Sequence, residues 1–159
     1  MQRRPAHVSG TSASGGNFFS SQRSFGGRTH REEHSGAYFR RPFPCRVSLA
    51  DAPEGARVFL LNYEHQPNQT PYRSRHAIFV MEGAQESHPE PGTIPASISS
   101  RLLSVRAFNK RHDIIDAEVI DGKEVAGLLP AYFARPEVNY VHLHYAGRGC
   151  YAAKVTRAP

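Results

Sequence analysis

Beyond Pro42 the chain alternates short apolar runs with turn residues, a pattern that predicts strands. Ala56 to His65 (ARVFLLNYEH) places Val58 and Leu60 on one face and Phe59 and Leu61 on the other, after a turn over 51–55. A polar loop, Asn68 to Tyr72, leads to a second strand from His76 to Met81. Glu82 to Ser100 contains Pro89, Pro91, Gly92 and Pro95, and predicts a long connection with one helical turn near its end. Leu102 to Asn109 and Ile114 to Ile120 form a hairpin around Lys110–Asp113. Tyr140 to Tyr145 and Tyr151 to Thr156 form another around Ala146–Gly149.

One segment has helical spacing instead. Asp121, with Glu124 three residues on, has the form of a capping box, and Val125, Leu128, Leu129, Tyr132 and Phe133 recur on one stripe. Pro130 predicts a kink or a split in this helix, and Pro136 closes it. The sum is an α+β fold: a largely antiparallel sheet of about six strands with one main helix packed on one face.

The first part of the chain lacks such patterning. From Met1 to Ala37 the only Val, Ile, Leu or Met residues are Met1 and Val8, among seven serines and six glycines. Such a segment buries too little apolar surface to offset the entropy of ordering it. The expected organisation is a disordered Arg/Ser/Gly-rich tail over 1–37 and a single domain over 38–159. The tail's composition resembles a transit peptide, but Pro5 and the glycines interrupt any amphipathic helix. No apolar run suits a secretory signal or a membrane span, so the expectation is a cytoplasmic protein without a membrane partner.

Charge sharpens the same boundary. The net charge is +6 at pH 7. Residues 1–41 hold seven arginines against Glu32 and Glu33, while the remainder is close to neutral. A near-neutral domain is unlike a groove that follows phosphates, which leaves the tail as the only segment suited to nucleic acid.

Five segments, PFPCRVSL (42–49), LLNYEHQP (60–67), PYRSRHAIFV (71–80), LLSVRAF (102–108) and HLHYAGRGCYAAKV (142–155), resemble in order a bacterial family known as domain of unknown function 1203. The resemblance runs from about Pro42 to Arg157 and leaves out residues 1–41. It implies a small bacterial, cytoplasmic protein and supplies no activity, cofactor or catalytic residue.

Two constellations carry candidate chemistry. His142 and His144 are two apart on a strand, so both imidazoles project from one face and can reach one divalent metal ion. A third ligand can come from His65, His76, Glu64 or Cys150, and the bland alternative is a pair of solvent-facing or hydrogen-bonded strand histidines. An even-numbered loop at 146–149 pairs Cys150 with Tyr145, away from the histidines; an odd loop with a bulge pairs it with His144. The second constellation is Tyr63 and His65 with Arg73, Arg75 and His76, joined by Arg106 inside an apolar strand, where an unpartnered charge is costly. Forked guanidinium donors suit a carboxylate or phosphate. Against this, Arg73 and Arg75 can simply pair with Glu64.

Cys45 and Cys150 are expected to be reduced small hydrophobes. No phosphate loop, dinucleotide fingerprint or serine elbow is present. The leading expectation is a protein that binds a small anionic molecule through the Tyr/His/Arg group, with no cofactor required. The alternatives are a metal-dependent hydrolytic enzyme on His142 and His144 with Glu64 as base, and nucleic-acid binding through the tail. Whether a reaction is catalysed stays open, as does a homodimer formed through an exposed edge of the final hairpin.

Overall fold

The computed structural model of the chain describes residues 6–9 and 43–158. Its strands, β1 (Ala6–Ser9), β2 (Val58–Gln66), β3 (Ser74–Met81), β4 (Leu102–Phe108), β5 (Ile114–Asp121), β6 (Tyr140–Tyr145) and β7 (Tyr151–Arg157), are joined by two helices, α1 (Ala96–Ser99) and α2 (Val125–Ala134). All named strand pairs are antiparallel. They make two sheets rather than the one expected: five strands in the order β1-β7-β6-β4-β5, and the β2–β3 hairpin by itself.

The reason for two sheets lies in β6. Its first five residues are buried without alternation, so both of its faces need cover. On one face Leu103, Val105, Val141, Leu143 and Val155 share an apolar cluster with Val125, Leu129 and Tyr132 of α2 and Ile98 of α1. The other face carries Ser104, Arg106, Tyr140, His142, His144 and Lys154, registered across β4, β6 and β7. The β2–β3 hairpin lies against this second face, with Tyr63 5.9 Å and His65 4.8 Å from Tyr151 between ring centroids.

β1 corrects the reading of the tail. Ala6–Ser9 pairs with β7, Ala6 and Val8 are buried, and the Ala6 carbonyl accepts from Gly92 N–H at 2.7 Å. Val8, one of two residues of its type in the segment, is what anchors it. The rest of 1–37 lies outside the described residues.

The main helix starts later than a capping box implies. Asp121 Oδ1 accepts from Lys123 N–H at 2.9 Å and caps a 3-10 turn over Gly122–Glu124, from which α2 proceeds. Pro130 lies inside α2 without splitting it. Arg135 turns extended (φ −84°, ψ 121°), as a residue before proline must, and Pro136 ends the helix.

Gly122 is where the helix meets the rest of the fold. A Cβ there would lie 2.3 Å from the Ile98 carbonyl oxygen and 2.6 Å from that of Arg101. Gly122→Ala is therefore expected to cost about 3 kcal/mol, since backbone on both sides must move. Gly127→Ala in α2 meets nothing within 4 Å and is expected to stabilise by ~0.5–1 kcal/mol. Urea unfolding of the two variants checks both signs.

Candidate metal centre

Two bulges build the site. The β6–β7 register shifts between Leu143 and His144, so His142 faces Lys154 while His144 faces Tyr151. Both partners thus share the histidine face although they lie three residues apart. In β2 the register shifts between Tyr63, opposite His76, and Gln66, opposite Ser74. The extra residue leaves His65 and Gln66 both buried at the end of the strand. Gln66 Nε2–H then donates to the Tyr140 hydroxyl at 2.6 Å, which lies 2.9 Å from His112 Nδ1, tying the end of β2 to the start of β6.

These registers set His65 on the His142–His144 pair, with ring centroids 5.6 and 4.9 Å away. One ring nitrogen from each of the three histidines lies within 4.8 Å of the others. His65 Nδ1, His142 Nδ1 and His144 Nε2 are buried and have no hydrogen-bond partner among the described residues. His144 is oriented by its other nitrogen, which donates to the Gly149 carbonyl at 2.9 Å. Nδ1 therefore carries the proton and Nε2 presents a bare lone pair. His65 Nε2 lies 3.2 Å from Ser74 Oγ. His65 and His144, each anchored through one nitrogen and unsatisfied at the other, have the form of metal ligands with an outer support in place.

Electrostatics keeps the rings neutral. The three side chains are between 1 and 9% exposed. Burial, followed by the neighbouring rings and cations, pushes the pKa down from 6.5 to about 2 for His142. His144 falls to about 3, because burial outweighs the upward pull of the Gly149 carbonyl, with smaller downward contributions from Arg106, His65 and His76. His65 falls to about 4, by burial, His76 and Arg106. The cations Arg106 and Lys154 act on these rings and disfavour their protonation further. Tyr151 stacks on His65 at an interplanar angle of 9°, and Phe108 closes on His142 at 4.8 Å.

The residues expected to form an anion site divide into two groups. Arg106 joins the histidines: it lies opposite His142, its Nε–H donates to Ser104 Oγ at 3.2 Å, and burial lowers its pKa. Tyr63 and His76 border the centre, His76 at 6.5 Å from His65. Arg73 and Arg75 do not join it. Glu64 alternates away from Tyr63 and His65, and it pairs with Arg73 at 2.8 Å and Arg75 at 4.0 Å on the exposed side of the hairpin. The same alternation removes Glu64 as a ligand or base. Cys150 follows the even-loop expectation: Tyr145 N–H donates to its carbonyl at 2.9 Å, and it stands outside the histidine group. Cys45 and Cys150 are free thiols. Ser74, Gly149 and Tyr151, which orient or cover the rings, carried no signal in the sequence, because two of them act through a register shift or a backbone carbonyl.

No helix of the described residues is long and apolar enough to cross a membrane. Comparison with curated proteins and with solved structures gives no match. A family model described as Protein of unknown function (DUF1203) matches residues 42–157.

Proposed function

The chain belongs to this family of unknown function, and, since membership brings no activity with it, we propose from the site alone that the protein binds a divalent transition-metal ion through His65, His142 and His144. The observation that carries the reading is that three buried histidines each bring one ring nitrogen within 4.8 Å of the others, and that each of them has a buried ring nitrogen with no partner among the described residues. Leaving three such atoms unsatisfied costs ~1–3 kcal/mol each in a site that only packs. A metal ion that accepts three lone pairs removes that cost.

Imidazole suits ions of the zinc class. Tetrahedral coordination with zinc–nitrogen bonds of ~2.0–2.1 Å needs nitrogens ~3.3 Å apart, so side-chain adjustments on the order of 1 Å close the site. Three protein ligands leave a fourth position for water or a small ligand, which is the arrangement that makes a metal a Lewis acid. With Glu64 committed to Arg73 on the other side of the strand, the reading is of a metal-binding protein with an open position, and a hydrolytic step is not part of it.

Elemental analysis of the full chain purified without chelator is expected to find close to one equivalent of a single metal. Chelator should lower the unfolding temperature and zinc restore it. An ion at ~100 times its dissociation constant adds ~2.7 kcal/mol, several degrees for a chain of this size. Metal-free protein with a melting temperature indifferent to both chelator and zinc would overturn the proposal. The full chain is required because β1 lies within residues 1–37 and completes the sheet.

A further inference from the structure

The metal centre joins two sheets that share no backbone ladder: His142 and His144 belong to β6 of the five-stranded sheet, and His65 to the β2–β3 hairpin. The two ends of that hairpin are held in different ways. At its base, Ile78 and Val80 of β3 are buried in an apolar cluster with Cys45, Val47 and Tyr151. There Arg46 N–H donates to the Phe79 carbonyl at 3.0 Å, and Arg46 Nε–H donates to the Tyr151 carbonyl of β7 at 2.8 Å. The base is thus tied to the larger sheet through residues 45–47. At the tip, β3 buries no side chain from Ser74 to Ala77, and the buried residues of β2 are His65 and Gln66, both polar. Gln66 Nε2–H reaches the Tyr140 hydroxyl and His65 stacks on Tyr151, but His65 Nδ1 has no partner among the described residues. Polar contacts and one ring stack hold the tip, without the apolar core that holds the base.

We infer that the metal ion is a latch: it pins the hairpin tip to β6 through His65, and without it the tip swings away about the apolar base, which opens the route by which the ion enters. The inference rests on the metal reading and adds to it how the site is loaded and what loading does to the fold. The three histidines are between 1 and 9% exposed, so a hydrated ion does not reach their nitrogens while the tip is closed. Opening at the tip exposes all three together, because His65 leaves with the hairpin and uncovers the two rings of β6 against which it packs. Closure without metal buries ring nitrogens that water would otherwise satisfy, and this cost favours opening. Closure around the metal replaces that water by coordination bonds. An ion that binds only the closed form therefore shifts the tip toward it as the ratio of ion to dissociation constant rises.

The test is native-state hydrogen exchange of the full chain, resolved amide by amide, on protein treated with chelator and on the same protein with zinc at about 100 times its dissociation constant. Calorimetry establishes beforehand whether zinc binds. Without metal, the ladder amides of 63–66 and 74–77 at the tip are expected to exchange about tenfold faster, or more, than those of β4, of β6 and of the hairpin base at 78–80. Zinc is expected to slow the tip amides by about tenfold or more. Tip amides that exchange as slowly as those of β4 and β6 without metal would overturn the latch and leave the metal reading standing. So would tip exchange that bound zinc does not slow. Absence of zinc binding in the calorimeter would overturn both.

Discussion

Replacing His144 by alanine is expected to abolish metal binding while leaving the metal-free protein close to wild-type stability. Losing a supporting group around a metal costs ~10–100-fold in affinity, and losing one of three ligands should exceed that. The metal-free protein responds differently because the native ring is poorly satisfied. His144→Ala gives up the bond to the Gly149 carbonyl, worth about 1 kcal/mol, but also removes an unpartnered buried nitrogen whose desolvation costs ~1–3 kcal/mol. A residual cavity works against the variant, so the net change is small. Leu143→Ala, one residue away on the apolar face and fully buried, supplies the contrast: it should cost ~2–5 kcal/mol with or without metal. Competition with a chromogenic chelator gives the affinities, and urea unfolding with and without zinc gives the stabilities. Histidines that merely pack would invert the pattern, with His144→Ala destabilising the chain by an amount that zinc does not alter.

The sequence made the pair His142 and His144 visible, because two residues' separation on a strand fixes their common face whatever lies above it. It also made the strands, the last two hairpins and the stripe of α2 visible, since those depend on local periodicity and turn residues. What it could not decide was the third partner. His65 stood beside His76, Glu64 and Cys150 as equal candidates, and the choice rests on register. Cys150 was settled by the length of one loop. His65 was settled by a bulge near the end of β2, and no residue in that stretch announces a bulge. The arginines misled for a related reason. Arg73 and Arg75 lie close to Tyr63 and His65 along the chain, but strand alternation gives Glu64 and its two partners the opposite side of the hairpin.

The second sheet was hidden by the histidines themselves. A strand covered on both faces ordinarily reads as a continuous apolar run, and Tyr140–Tyr145 reads instead as alternating, with a polar side that suggests water. Two histidines held neutral fill that side without solvent, and the β2–β3 hairpin closes over them. The surplus of polarity in an otherwise buried strand is therefore the clearest trace of the site in the sequence. It is intelligible only once the covering hairpin is known.

That neutrality has a thermodynamic consequence, and the metal-free protein is expected to lose stability as pH falls below 6.5. The three rings titrate near 6.5 when unfolded and at about 2, 3 and 4 for His142, His144 and His65 in the native state, chiefly because burial disfavours the charged form. Between pH 6.5 and about 4 the unfolded chain binds protons that the native chain refuses, so stability rises with pH through this window and is fully present above it. Each ring contributes a slope of up to about 1.4 kcal/mol per pH unit. Each of the three native pKa values lies well below this interval, so the rings contribute alike and together account for about 3 kcal/mol between pH 6.5 and 5.5. Carboxylates also titrate toward the acid end, so the informative quantity is the difference between wild type and His144→Ala. Urea midpoints for the two proteins, close to each other at pH 7.5, should separate as pH falls to 5.5, with the wild type losing more. Parallel midpoints would mean that the native His144 ring takes up its proton as readily as the unfolded one and is therefore hydrated, which would remove one of the unsatisfied nitrogens on which the metal centre depends.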